Sequence, residues 1–385
     1  MTAGNVNLES QFGAGAGIQR DQRELLLEVR NLKTYFKLDE GTVRAVDGVS
    51  YNLYRGRTLG IVGESGCGKS VTAQSILRIV PSPGQIVDGE IIYHRRQRES
   101  AGQSVATSAN GGGFRGRFGG RGPSRVAADG VEQIDLTTLN PRGQAIRDIR
   151  GNEIALIFQE PMSSLSPVHT VGHQMIQTIV LHQKVSKEEA RERGIEMLAR
   201  VGIPRPREAI DRYSHQLSGG QRQRAVIALA LSCKPSLLIA DEPTTALDVT
   251  TEAQILELMK ELQRDLGMAI QIITHNLGVV AEMADDIMVM YLGKEVEQAP
   301  VEELFHNPKH PYTKALLRSI PRLGRKTGRR LESIEGMVPD PFSIPAGCTF
   351  HTRCPFYKPG ICDDPQYVQV GPNHWARCAR TKEIS

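Results

Sequence analysis

Eight residues, Gly63-Glu64-Ser65-Gly66-Cys67-Gly68-Lys69-Ser70, fit the pattern G-x-x-x-x-G-K-[ST] of a phosphate cradle. Glycines let the backbone turn tightly and aim successive N–H groups at phosphate oxygens. Lys69 supplies a point charge for the β- and γ-phosphates of a nucleoside triphosphate, and the Ser70 hydroxyl is placed to ligate Mg²⁺. Asp241 and Glu242 end an apolar run further along the chain. A carboxylate there can hold Mg²⁺ through water, the role expected of Asp241. Glu242, one residue on, can point to the other side and polarise an attacking water as a general base. Its bland alternative is a surface carboxylate. His275 follows a strand of the same buried type, which places it against the γ-phosphate; a lone histidine is otherwise structural. In Leu217-Ser218-Gly219-Gly220-Gln221, Ser218 stands where a helix N-cap should, and the glycines expose N–H groups. That makes a second anion site. Two such helix ends in one chain must either be adjacent and grip one nucleotide, or each complete a site on a partner.

These residues need elements to position them. Thr58–Val62 is a short apolar run suited to a buried strand, and Val71–Val80 reads as the helix after the phosphate loop. The stretch from Leu25, LLLEVRNLKTYF, reads as an edge strand ending in Tyr35 and Phe36, either of which could stack on adenine. Residues 45–56 alternate apolar and polar positions, as a half-exposed antiparallel strand does. Asn152–Phe158 is a core strand that delivers Gln159. Residues 186–202 read as a helix opened by a capping box, Ser186 to Glu189, and stopped by Pro204 and Pro206. Ser236–Ala240 is a continuous apolar run, the mark of a parallel strand buried on both faces. An amphipathic helix from Thr251 to about Leu266 and strands over Ala269–Thr274 and Ile287–Tyr291 follow. Asp248 lies in the turn before that helix.

The 385 residues suffice for one large core plus a smaller domain, and 23% charged with 39% hydrophobic residues is ordinary for a globular chain. A net charge of +4 excludes a general nucleic-acid sponge. No apolar run approaches the roughly 20 residues of a membrane span, and the first residues lack the apolar core of a signal peptide. The expectation is therefore a cytosolic chain with a disordered tail over 1–25. Within residues 95–130, the part up to Arg125 carries seven arginines against one acid, Glu99, around GGGFRGRFGGRG. Too few apolar groups offset their ordering entropy, so a disordered surface insertion is expected. Arg/Gly segments with interleaved phenylalanine can also bind RNA. Cys67 and Cys233 are isolated and read as packing residues, whereas Cys348, Cys354, Cys362 and Cys378 crowd together. In a reducing cytosol such a cluster suggests metal before disulfides. The C-x5-C-x7-C-x15-C spacing is not the paired form of zinc ribbons, and four thiolates suit tetrahedral Zn²⁺ or a [4Fe–4S] cluster.

In order and content these motifs resemble the ATP-binding cassette subunits of ABC transporters: GESGCGKS, Gln159, LSGGQ at 217–221, LLIADEP at 237–243, ALD at 246–248 and His275. The resemblance covers roughly residues 26–300. It implies an α/β P-loop NTPase fold with a RecA-like parallel-sheet core, an antiparallel β subdomain and a helical subdomain near 160–230. It further implies ATP and Mg²⁺ as ligands and a head-to-tail pair of cassettes, in which the Ser218–Gln221 loop caps ATP on the partner's P-loop. Gln159 would then couple Mg²⁺ and the γ-phosphate to a membrane subunit, Asp248 would lie across the pair's interface, and Phe36, or else Tyr35, would stack on adenine. IFQEPMSSLSPV (157–168), NPKHPYTKALLRSIPRL (307–323) and CTFHTRCPFYKPGICDDP followed by HWARC resemble the dipeptide/oligopeptide importer branch. That branch implies a C-terminal extension over 301–385 and a structural iron–sulfur cluster on the four cysteines. It also implies a second, different cassette chain, two permease subunits and an extracytoplasmic solute-binding protein, with this chain on the cytoplasmic face of the membrane. Its links around 95–130 are short, so the insertion is a departure. The competing reading is a soluble ABC ATPase acting on nucleic acid or ribosomes. That class carries a long coiled coil or two cassettes, neither of which is seen, so no nucleic-acid partner is expected.

Overall fold

The computed structural model describes residues 24–96, 124–126, 130–160, 164–245, 247–320 and 334–384. The N-terminal tail up to residue 23 and most of the Arg/Gly insertion lie outside the described residues.

The chain opens with β1 (Leu25–Leu38) and β2 (Gly41–Tyr54), long antiparallel partners. β3 (Thr58–Val62) is buried throughout and leads through the phosphate loop into α1 (Lys69–Ile76). β4 (Gly84–Arg96), β5 (Ser124–Val126) and β6 (Val131–Asp135) return to the first sheet, whose order is β2-β1-β4-β6-β5. β1 is therefore an interior strand and not the edge strand expected. Its charges are matched within the sheet: Lys33 lies opposite Asp88 of β4 and bonds it at 2.8 Å, and Arg30 pairs with Glu28 at 2.6 Å. The ends of the expected disordered stretches are likewise ordered. Glu24 pairs with Arg55, Arg95 bonds Glu153 at 2.7 and 2.8 Å, and Ser124–Val126 pair with β6.

A short helix, α2 (Gln144–Ile149), precedes β7 (Ile154–Ile157). The helices α3 (Val171–Gln183), α4 (Lys187–Arg200), α5 (Pro206–Ala209) and α6 (Gly219–Leu231) follow among the described residues. Apolar positions at helical spacing, among them Met175, Leu198, Val201 and Ala225, are buried in one core with β7 and the next strand. Ser186 caps α4 by accepting from the Glu189 N–H, but the return half of the box is not made, because Glu189 bonds Arg193 instead.

β8 (Leu237–Asp241), α7 (Val249–Leu266), β9 (Ala269–Thr274), α8 (Leu277–Met283), β10 (Asp286–Tyr291) and β11 (Lys294–Pro300) complete the cassette. β10, β3, β9, β8 and β7 lie side by side and parallel, so their carboxyl ends share one edge. After α9 (Val301–His306) and α10 (Pro311–Arg318), the described residues of the extension are mostly irregular until β12 (Val368–Gly371) and β13 (His374–Ala376). These two strands join the cassette's own sheet through β11, so the extension is stitched on and not a separate unit. Glu297 of β11, fully buried, accepts from the Lys309 and His310 N–H groups at 2.6 and 2.8 Å and lies 2.7 Å from His374 Nε2. Arg377 donates to Glu295 Oε1 at 2.6 Å.

Candidate functional site

The phosphate loop follows β3 at that common strand edge and is shaped by its neighbours. Gly63 has φ 153°, and a Cβ there would sit 2.2 Å from the Met290 carbonyl oxygen. Gly68, with φ 101°, lies so close to the β2 backbone that a Cβ would come within 2.0 Å of the Ala45 oxygen. Lys69 is buried, its ammonium donating to the Gly63 and Glu64 carbonyls at 2.8 and 3.0 Å. Cys67 is buried beside it, a packing residue whose thiol burial pushes up. Ser65 and Gly66 are exposed at the turn of the loop.

Asp241 ends β8, next but one to β3, and is buried. Burial pushes its carboxyl up, against the pull of the Ser70 hydroxyl bonded to it and the Lys69 charge. Oδ1 has no hydrogen-bond partner. A buried, unpaired carboxylate oxygen beside a serine hydroxyl is a donor set that fits Mg²⁺.

Glu242 sits in the left-handed region at φ 48°, a strained geometry for a residue with a side chain. It persists because the surroundings fix both ends. The Glu242 N–H donates to the Ile273 carbonyl at 2.8 Å, Oε1 lies 3.1 Å from His275 Nδ1, and Oε2 accepts from the Thr245 hydroxyl at 3.1 Å. Burial would raise its pKa, but the bonds from His275 and Thr245 and the charges of His275 and Lys69 bring it below the ordinary value. An ionised, oriented carboxylate is the form a general base needs. Its partner His275 is open to solvent, with 63% of its side chain exposed against 10% for Glu242.

Other expected residues are placed differently. Gln159 is exposed at the end of β7 on the same edge, and none of its side-chain atoms bonds the residues above. Ser218 caps α6 in a complete capping box: its hydroxyl accepts from the Gln221 N–H at 3.3 Å, and the Gln221 side chain accepts from the Ser218 N–H at 3.2 Å. Gly219 and Gly220 form the first turn of the helix. No hydrogen bond among the described residues ties this loop to the phosphate loop. Two residues beyond it, buried Gln223 donates to the Pro243 carbonyl at 2.5 Å and so links α6 to the Asp241-Glu242 turn. Asp248 caps α7 through the Thr251 N–H and hydroxyl at 3.0 and 2.7 Å, which hold its carboxyl below the usual range. Tyr35 bonds Asp47 at 2.6 Å under the Arg44 guanidinium, whereas Phe36 packs around Gly84 and Val80.

A family model described as "ABC transporter" matches residues 46–112 and 127–245, and one described as "Oligopeptide/dipeptide transporter, C-terminal region" matches 296–362. A probable peptide ABC transporter ATP-binding protein of Sinorhizobium fredii is 46% identical over 94% of this chain and 96% of its own. The chain belongs to the ATP-binding subunits of the peptide/oligopeptide ABC importer family. The dipeptide transport ATP-binding protein of Bacillus subtilis is also 46% identical, over 88% of this chain and 89% of its own. Among solved structures, a dimeric ATP-binding cassette bound to ADP and Pi shares the fold, with a TM-score of 0.55 and 23% identity over 72% of this chain and 99% of that one. The chain is thus an ABC ATPase. No helix among its described residues is long and apolar enough to cross a membrane.

The four C-terminal cysteines line one cavity, with His310, Phe350 and Tyr357 among its other walls. All are free thiols. Burial pushes Cys348 up to about 11, with the neighbouring thiols adding to it, and raises Cys354 and Cys378 as well. Among the described residues no three His, Cys, Asp or Glu side chains stand close enough to hold a metal ion. The donor set is right for a cluster, but the spacing found here is not. Reasoning from the sequence missed Tyr312 and Arg353, which reach the phosphate loop from 248 and 289 residues away. No local pattern signals contacts of that range.

Proposed function

We propose that this chain hydrolyses ATP at its own phosphate loop to drive import of di- or oligopeptides. The observation that carries the reading is the Glu242 carboxylate, held by His275 and Thr245 next to the Asp241–Ser70 pair and Lys69. N–H groups of residues 65–70 and the α1 N-terminus would take the phosphates, with Lys69 on the β- and γ-oxygens. Ser70 and Asp241, with Gln159 approaching from β7, would hold Mg²⁺, which neutralises charge developing on those oxygens. Water attacks the γ-phosphorus as the bond to the β,γ-bridging oxygen breaks, and its proton passes to Glu242 while His275 contacts the γ-phosphate. Phe36, with Tyr35 as the alternative, would stack on adenine.

The Ser218–Gln221 loop, exposed at Ser218 and half-buried beyond it, supports a site completed in trans. In this reading it caps ATP on a second cassette chain, with Asp248 at the interface, and a heterodimer is the assembly favoured for this branch. Exposed Phe158 and Val168 flank the Gln159 loop and support docking of two permease subunits there, fed by a solute-binding protein on the far side. This chain would then work at the cytoplasmic face of the membrane. The cysteine pocket would be structural, a [4Fe–4S] cluster or Zn²⁺ drawing Cys348, Cys354, Cys362 and Cys378 together. Iron and sulfide analysis of anaerobically purified protein tests that part. Affinity purification of tagged Glu242→Gln protein from detergent-solubilised membranes with ATP tests the whole. Two polytopic permeases and a second cassette chain are expected, and capture of ribosomes or repair proteins instead would overturn it.

A further inference from the structure

Glu64, the second residue of the phosphate loop, has every polar group engaged, and two of the three engagements come from the C-terminal extension. Its carboxylate forms a fork with Arg353, Nη1 to Oε2 at 2.7 Å and Nη2 to Oε1 at 3.1 Å. Its N–H donates to the Tyr312 hydroxyl at 2.9 Å. Its carbonyl accepts from Lys69. Arg353 is itself pinned: its side chain is 3% exposed, and it donates to the Glu335 and Ile334 carbonyls and the Tyr291 hydroxyl. Tyr312 is locked among Tyr291 and Phe350, with ring centroids 4.7 and 5.3 Å away.

A carboxylate within a phosphate cradle is an electrostatic liability, since a triphosphate brings several negative charges to the same loop. A buried guanidinium in bidentate contact removes most of that repulsion and also fixes the side chain's direction. The tyrosine hydroxyl fixes the peptide whose carbonyl holds the Lys69 ammonium. We propose that Arg353 and Tyr312 are positioning residues of the ATP site, through which the C-terminal extension sets the affinity of the phosphate loop for nucleotide. This rests on residues 63–70 being the nucleotide site.

The test is equilibrium titration of the full chain with a fluorescent ATP analogue and Mg²⁺, alongside ATP KM and kcat. Arg353→Gln leaves Glu64 unpaired and should weaken binding about five- to twenty-fold, within the usual range of coupling between sites, with KM rising more than kcat falls. Adding Glu64→Gln to that variant should recover affinity, because the unpaired charge is gone; a merely structural role would not. Arg353→Lys should lie between, and Tyr312→Phe should weaken binding with little change in melting temperature. If Arg353→Gln does not fold, Arg353→Lys and Tyr312→Phe decide. Binding within about two-fold of wild type in these variants, or no recovery in the double variant, overturns the proposal. Lys69→Ala separates the premises: it should abolish binding, and if it binds normally the nucleotide site itself is misplaced.

Discussion

The phosphate site and the cysteine pocket are built by opposite means. Lys69, Asp241 and His275 are delivered by adjacent parallel strands to a common edge, so backbone geometry brings them together. The described part of the extension around the cysteines has little regular structure and is fixed by side-chain contacts with at least one buried partner, Glu297 with His374, Glu295 with Arg377, and Glu64 with Arg353. A site of the first kind tolerates loss of a single side chain without losing its shape. A site of the second kind has its fold and its position invested in a few polar groups.

The largest effect should therefore come from the stitch at Glu297. Glu297→Ala takes the shared acceptor from the Lys309 and His310 N–H groups and from His374 Nε2, at a cost of about 1–3 kcal/mol for each buried group left unsatisfied. Chemical denaturation should register that loss, and limited proteolysis should open the chain after β11 while the cassette strands stay protected. Equal loosening of both regions would erase the contrast. In the cassette, Ser218→Ala removes one cap from a helix that keeps its packed face, a loss of about 1 kcal/mol in the same denaturation assay.

A further effect, readable as a pH dependence, comes from Glu295. Burial raises its pKa from 4.5 to about 7, against the opposing pull of Arg377. A carboxyl with a raised folded pKa contributes stability below its unfolded value and loses it as pH climbs through the folded one. Glu295→Gln should therefore gain stability relative to wild type as pH rises from 4.5 to about 7, by a few degrees in melting temperature. A difference that stays flat across that window would show that burial does not hold Glu295 protonated.

This contrast also explains what could be read from the sequence. Ala269–Thr274 is a strand over the bounds its apolar run suggests, and Ser218 caps its helix, because both follow from local residue types. β1 reads as an edge only because its charges look solvated, and their partners on β4 lie more than fifty residues away. The return bond at Ser186 fails because Arg193, one turn on, competes for Glu189. Tyr312 and Arg353 lie in segments that mark the importer branch, but nothing local in those segments signals contact with the phosphate loop.

The account turns on Glu242 as the base of a working ATP site. The most direct test measures ATP binding and phosphate release on the same preparations of wild type and Glu242→Gln. Retained binding with turnover down by at least about 10²-fold is the predicted result. Hydrolysis near the wild-type rate would contradict it.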